Sequence, residues 1–89
     1  MADMLIVEIQ VLFFAKAREL CGQKESHLLI PSTVSYNDLV DQIVKTFSLE
    51  SIQHNLILAI NEEYATTGSI VQLKEGDKVA VIPPLSGGI

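Results

Sequence analysis

One segment of this chain has the periodicity of a long amphipathic helix, and it lies between segments with the composition of β-strands. It begins at Ser35, whose hydroxyl can accept a hydrogen bond from a free amide of the first helical turn. Asp38, three residues later, stands where an acidic residue supports such a cap. The apolar residues that then recur at helical spacing are Leu39, Val40, Ile43, Val44 and Phe47. They form one face suited to lying across a sheet.

The segments around this helix are predicted to be strands. Leu5 to Phe14 is rich in β-branched and aromatic residues, and residues 25–30 form a second such run that closes at Pro31. Between them, residues 15–21 are good helix formers, and Gly22 is a typical helix stop. Further predicted pieces are strands at 56–60 and 78–82, a brief return pairing at 64–65, and turns at 61–63 and 74–77. This order predicts an α+β roll in which one main helix packs on a mixed sheet.

Length and composition limit the classes of protein to consider. The chain has 89 residues, enough for one domain, which we assign to residues 1–82 with a tail at 83–89. Its net charge is −5 and its six basic residues are scattered, so a nucleic-acid partner is not expected. The acidic surface favours a protein partner with a basic docking face. No apolar stretch approaches a membrane span, no signal peptide is apparent, and Cys21 is the single cysteine, so we expect a soluble cytosolic protein.

The C-terminal tail, Pro83–Gly88, has a composition unlike that of a folded element. Pro83 and Pro84 lack backbone donors and favour an extended conformation, while Gly87 and Gly88 can pass through a narrow slot. At roughly 3.3 Å per residue the six residues could reach about 20 Å into another protein's active site. A terminal glycine carboxylate is sterically open to adenylation by an ATP-using enzyme. The alternative is a frayed terminus of small residues without a function.

Two motifs at opposite ends of the chain resemble one known family. Residues 11–22, Val-Leu-Phe-Phe-Ala-Lys-Ala-Arg-Glu-Leu-Cys-Gly, resemble the opening signature of the molybdopterin synthase small-subunit family. Residues 76–88, Gly-Asp-Lys-Val-Ala-Val-Ile-Pro-Pro-Leu-Ser-Gly-Gly, resemble its closing signature. With the capped helix between them, the resemblance covers nearly the whole chain. It implies a ubiquitin-like β-grasp fold.

The resemblance also implies a function for the tail. In that family the terminal glycine is adenylated by a ubiquitin-activating-like enzyme, which uses ATP, and becomes a thiocarboxylate. The tail then enters the large subunit of the synthase, and sulfur passes to a cyclic pyranopterin precursor of the molybdenum cofactor. The usual assembly is a heterotetramer. Here the carrier residue would be Gly88, and the inserted segment would consist of Pro83, Pro84, Leu85, Ser86 and Gly87.

The family's docking surface corresponds to an apolar patch predicted from strand alternation. In the first strand, Leu12 and Phe14 fall on the face opposite the helix-covered core, and Ala80 and Ile82 share the corresponding face of the last strand. If these strands are neighbours, the four side chains form one patch beside the tail, which Ile57 could join. We predict partner contacts for Phe14 and Ile82, and for Arg18 in the short helix. The alternative is that Phe14 and Ile82 belong to the core.

One feature departs from the family pattern, because Ile89 follows Gly88 and occupies the carboxylate that the chemistry needs. Three explanations are open: a protease removes Ile89, Ile89 is an addition to the expressed chain, or this form of the chain is unable to carry sulfur. Different functions also remain open: a sulfur carrier for thiamine or tRNA thiolation, a protein modifier conjugated through Gly88, or a ubiquitin-like binding module without tail chemistry.

We expect no metal site, no cofactor bound by this chain and no catalytic cysteine. His27 and His54 have no ligand-type partner at metal-binding spacing, and Cys21 is interpreted as a packed residue at the end of an apolar helix face.

Overall fold

A five-stranded mixed sheet with one long helix on one face forms the body of the protein. The computed structural model of the chain describes residues 5–83. The strands are β1 Ile6–Phe13, β2 Glu25–Pro31, β3 Thr33–Ser35, β4 Ile57–Ile60, β5 Glu63–Tyr64, β6 Ile70–Gln72 and β7 Lys78–Ile82. The helices are α1 Ala15–Cys21, α2 Tyr36–Phe47 and a 3-10 helix at Glu50–Asn55. None of the helices within residues 5–83 is long and apolar enough to cross a bilayer.

The sheet order places the first and last strands side by side. The five strands follow one another as β2-β1-β7-β4-β5, and β1 and β7 run parallel while the other neighbours are antiparallel. The short strands β3 and β6 pair separately as a two-stranded sheet. The expected mixed sheet and the antiparallel β1–β2 pair are confirmed, and the arrangement is the β-grasp fold.

The core lies between the sheet and α2, and it is built by alternation along the strands. Ile9, Val11 and Phe13 of β1 point into it, as do Val79 and Val81 of β7. From α2, the predicted apolar face supplies four buried side chains, those of Leu39, Ile43, Val44 and Phe47, while Val40 is half-buried. The rings of Phe13 and Phe47 meet edge to face with their centroids 4.8 Å apart. Within residues 5–83 the buried side chains are hydrophobic and no charged side chain is buried.

The predicted helix signals have the expected geometry. The Ser35 hydroxyl accepts a hydrogen bond from the Asp38 amide at 3.1 Å and so caps α2. Gly22 ends α1 in the left-handed conformation, with φ +76°, and its amide donates to the Arg18 carbonyl. Gly76 also has a positive φ, as the turn prediction requires.

Several short elements differ from the sequence predictions. The first strand is one residue shorter at each end than predicted, and the return pairing uses Glu63–Tyr64 instead of 64–65. Strands β3 and β6 were not predicted because three residues are too few to show alternation. His54, expected in a polar loop, lies in the 3-10 helix.

Asn61 joins the β4–β5 hairpin to the start of β7. Asn61 and Glu62 form the turn with φ values of +50° and +73°, the conformation of a two-residue hairpin loop. The Asn61 side chain donates to Asp77 Oδ1 at 3.1 Å, and its oxygen accepts from the Lys78 amide at 3.0 Å. Its own amide donates to the Lys78 carbonyl at 2.8 Å. These bonds hold the hairpin against β7.

Two substitutions separate the side-chain and backbone contributions of Asn61. We expect Asn61→Gly to lower the free energy of unfolding by about 1–2 kcal/mol, since it keeps the positive φ and loses the side-chain bonds. Asn61→Ala should cost about 1 kcal/mol more, because a Cβ disfavours the left-handed region. Urea denaturation measures both, and Asn37→Ala, an exposed position on α2, is the control and should change stability by under about 0.5 kcal/mol. If Asn61→Gly and Asn61→Ala lowered the free energy of unfolding equally, the positive φ of Asn61 would not contribute to the difference in stability.

Candidate functional site

The face of the sheet opposite α2, here called the outer face, carries apolar side chains in two rows across three strands. In the first row Leu12 of β1 is aligned with Ala80 of β7, which pairs with Ala59 of β4. In the second row Ile82 pairs with Ile57, and Phe14 follows Phe13, the partner of Val81. We call these six residues the apolar patch: Leu12, Phe14, Ile57, Ala59, Ala80 and Ile82.

Exposure separates five of the six patch residues from the core, while Ala59, which pairs on both sides within the sheet, is only 6% exposed. Phe14 is 48% exposed and Ile57 is 44% exposed, while Leu12, Ala80 and Ile82 are half-buried. The neighbouring residues Phe13 and Val81 are 2% and 0% exposed. Phe14 and Ile82 therefore lie on the solvent side of the sheet, as alternation predicts, and outside the buried core.

Backbone hydrogen bonds fix the position of Phe14 at the junction of β1 and α1. Its amide donates to the Val81 carbonyl at 3.3 Å, which extends the β1–β7 pairing by one residue. Its carbonyl accepts from the amides of Ala17 at 3.1 Å and Arg18 at 3.4 Å, which begins α1. Ala15, the residue directly after Phe14, has φ +51°, an unusual value for a residue with a side chain. The sharp change of direction leaves the Phe14 ring on the outer face.

The remaining predicted site residues divide into those near the patch and those beyond the described part. Arg18 is exposed on α1, and the ion pairs formed within residues 5–83, Lys16–Glu19 and Lys45–Asp41, do not involve it. Pro83, assigned to the tail, directly follows β7 and is buried. The predicted tail residues outside the described residues are Pro84, Leu85, Ser86, Gly87 and the carrier Gly88.

Polar side chains of β1, β2 and β7 form a rim beside the apolar patch. Glu25 of β2 lies opposite Leu12, and its carboxylate accepts a hydrogen bond from the Gln10 side chain at 2.9 Å. Lys78 is aligned with Gln10 at the end of the patch farther from the tail. An apolar centre with such a rim has the composition of a protein-binding surface.

One patch residue and one neighbour of the patch escaped the sequence analysis. Ala59 was not singled out as a site residue, and neither was Tyr64, which pairs with Ala59 at the sheet edge and is 76% exposed. Their contribution depends on the antiparallel register of β4 with β7 and β5, which the composition of a four-residue strand does not reveal. Because successive side chains of a strand point to opposite faces, the prediction that Ile57 joins the patch could also have assigned Ala59, two residues later, to the same face.

The other chemically active side chains do not gather into a site in the part described. The thiol of Cys21 is half-buried against the core and lies 3.4 Å from the Gln23 carbonyl oxygen, in keeping with its interpretation as a packed residue. His27 and His54 are exposed on separate elements. Within residues 5–83, no group of three or more His, Cys, Asp or Glu side chains is placed to hold a metal ion.

Comparison with known proteins assigns the chain to a family. The model of the ThiS family matches residues 11–88, which include both terminal motifs. The chain belongs to the ThiS family. The matched region ends at Gly88 and leaves Ile89 outside it.

Relatives within this family share the whole length of the chain. A protein from Drosophila ananassae named molybdopterin synthase sulfur carrier subunit is 51% identical over 88 residues, covering 98% of both chains. A protein of the same name from Arabidopsis thaliana is 46% identical over 87 residues, covering 97% of this chain and 88% of its own. Among solved structures, small archaeal modifier protein 1 from Haloferax volcanii superposes with a TM-score of 0.72, covering 91% of this chain and 99% of its own. At 21% identity this likeness shows the shared fold alone.

Adjacent phenylalanines provide a matched test of which side chains form the patch and which form the core. We expect Phe13→Ala to lower the free energy of unfolding by about 3–5 kcal/mol, because it leaves a cavity against Phe47. Phe14→Ala should cost under about 1 kcal/mol, since half of its ring is already in water. Urea denaturation followed by circular dichroism measures both. A loss for Phe14→Ala as large as that for Phe13→Ala would assign Phe14 to the core.

Proposed function

We propose that this chain is the sulfur-carrier subunit of molybdopterin synthase, acting in molybdenum cofactor biosynthesis. The observation that carries the proposal is full-length identity of about half to curated proteins of that name, in a family match that ends at Gly88. The apolar patch beside the end of β7 supports it, because a carrier must dock on another protein while presenting its tail.

The proposed chemistry takes place at the Gly88 carboxyl group. The activating enzyme attaches AMP from ATP to the carboxylate and releases pyrophosphate. Hydrosulfide, or a donor equivalent at the same oxidation state, then attacks the acyl carbon and AMP leaves as the carbon–oxygen bond breaks, so that the glycine carries a thiocarboxylate. In the synthase this sulfur passes to the cyclic pyranopterin precursor, and hydrolysis returns a carboxylate. The chain supplies the reactive carbonyl, and the enzymes that bind it supply the acids and bases.

The proposed partners follow from this cycle. The body, residues 1–82, docks through the apolar patch and Arg18, and the tail from Pro83 to Gly88 enters the partner. We propose the synthase large subunit, in a heterotetramer, and a ubiquitin-activating-like enzyme as the two partners, in the cytosol. The net charge of −5 supports partners whose docking surfaces are basic.

The residue that follows Gly88 decides whether the first step of the cycle can occur. In the printed sequence the Gly88 carbonyl forms a peptide bond to Ile89, and an amide carbonyl has no free oxygen anion to attack ATP. We propose that the carrier form ends at Gly88.

Intact-mass measurement tests the carrier chemistry. Two forms are incubated with ATP, a sulfur donor and the activating enzyme: the 89-residue chain and a form ending at Gly88. The shorter form should gain the mass of one sulfur-for-oxygen exchange, and the longer form should do so only after losing Ile89. A form ending at Gly87 is the matched control. An unchanged mass of the Gly88 form would overturn the carrier proposal, and a ladder of covalent protein adducts would indicate a modifier instead.

Substitutions in the patch test the docking surface. We expect Phe14→Ala and Ile82→Ala to weaken binding to the large subunit about tenfold or more, since buried aromatic and aliphatic anchors dominate such interfaces. Ile70→Ala is the matched control, because Ile70 is 64% exposed on β6, in the separate two-stranded sheet. Isothermal titration calorimetry gives the affinities and thermal unfolding checks the fold. Equal affinities of the three variants for the large subunit would show that the apolar patch is not part of the interface.

A further inference from the structure

The end of the apolar patch farther from the tail contains a depression. The concave region is lined by Leu12, Phe14, Ala59, Asn61, Glu62, Gly76, Lys78 and Ala80. Its floor includes two alanines that pair directly across the β4–β7 ladder. Each presents a single methyl group on the outer face, where the next row presents two isoleucines, Ile57 and Ile82. The difference in side-chain size lowers the surface over the alanines relative to the row nearest the tail.

The depression has an apolar end and a polar end. Towards the tail it is bounded by Phe14, and on one side by Leu12. At the opposite end lie Lys78 and Glu62. Neither belongs to the ion pairs formed within residues 5–83, which are Lys16–Glu19 and Lys45–Asp41. A side chain that enters the depression therefore meets methyl groups and an aromatic ring, and charged groups remain at the rim for the surrounding backbone.

The position of the depression determines which protein covers it. Ala80 lies two residues before Ile82 on β7, about 7 Å from the row at which the chain leaves the sheet. A standard interface buries about 800 Å² on each partner, a disc of roughly 16 Å radius. An interface of that size that includes the end of β7 is therefore large enough to cover the two alanines as well.

We propose that the depression over Ala59 and Ala80 receives one large apolar side chain, Leu, Met or Phe, from the protein that holds the tail. This proposal rests on the proposed function and specifies how the docking surface selects its partner. Large apolar side chains of a partner that pack into a depression of this kind are the usual high-energy contacts of an interface. The two alanines are specificity residues, because their small size makes the space.

The test fills the depression and leaves its walls unchanged. Ala80→Leu should weaken binding of the folded chain to the large subunit by about tenfold or more, which corresponds to about 1.4 kcal/mol. Ala80→Val is the second variant, since valine adds bulk at the same place and is favoured in strands. Thr46→Leu adds a leucine to an exposed position of α2, on the other face of the sheet, and should bind like the wild type. Calorimetry measures affinity, and thermal unfolding should show Ala80→Val to be at least as stable as the wild type.

The outcomes distinguish this proposal from the one on which it rests. If the wild-type chain, ending at Gly88, neither binds the large subunit nor becomes a thiocarboxylate, the proposed function fails. If the wild type binds and the folded Ala80→Leu and Ala80→Val variants bind equally well, the depression is empty in the complex and this inference is overturned. Weaker binding by the Ala80 variants, with Thr46→Leu unaffected, supports it.

Discussion

The parallel pairing of β1 with β7 is the interaction on which the rest of the structure depends. Parallel neighbours cannot be joined by a tight turn, so the 64 residues between Phe13 and Lys78, which include β2, β4 and β5 of the same sheet, must also cross one of its faces. They do so through α2, which covers one face and leaves the other uncovered by a helix. The same pairing places Leu12 beside Ala80 and carries Phe14 to the end of β7. The two terminal motifs, far apart in sequence, thus become one surface at the point where the tail begins.

The two faces of β1 meet different physical demands. On the core face, Ile9, Val11 and Phe13 are buried because folding requires them. On the outer face the chain changes from polar Glu8 and Gln10 to apolar Leu12 and Phe14, although each pair has one exposed and one half-buried side chain. Folding does not require that change. An exposed aromatic residue beside other apolar side chains is instead the mark of a surface that another protein covers.

Sequence patterns predicted the elements whose signals are local. The caps at Ser35 and Gly22 and the apolar period of α2 involve residues within a few positions of one another, and the structure confirms them. The alternation that separates Phe13 from Phe14 is equally local. Strands β3 and β6 could not be predicted in this way, because each has three residues and exists only through pairing with the other. The Asn61–Glu62 turn likewise has positive φ at both residues without a glycine, held by bonds to residues 77 and 78.

The alanines at the centre of the outer face show how stability and function conflict at one place. Alanine is disfavoured in strands relative to valine or isoleucine, and Ala59 and Ala80 pair with each other in the interior of the sheet. Their side chains point away from the core, so no packing constraint from α2 limits their size. A β-branched pair would strengthen the sheet by cross-strand contact, of roughly 0.2–1 kcal/mol. Positions that break a local rule without a gain for the fold are the positions at which function is expected. The space above these two methyl groups is therefore best explained by a partner side chain that occupies it, and stabilising the sheet there would come at the expense of docking.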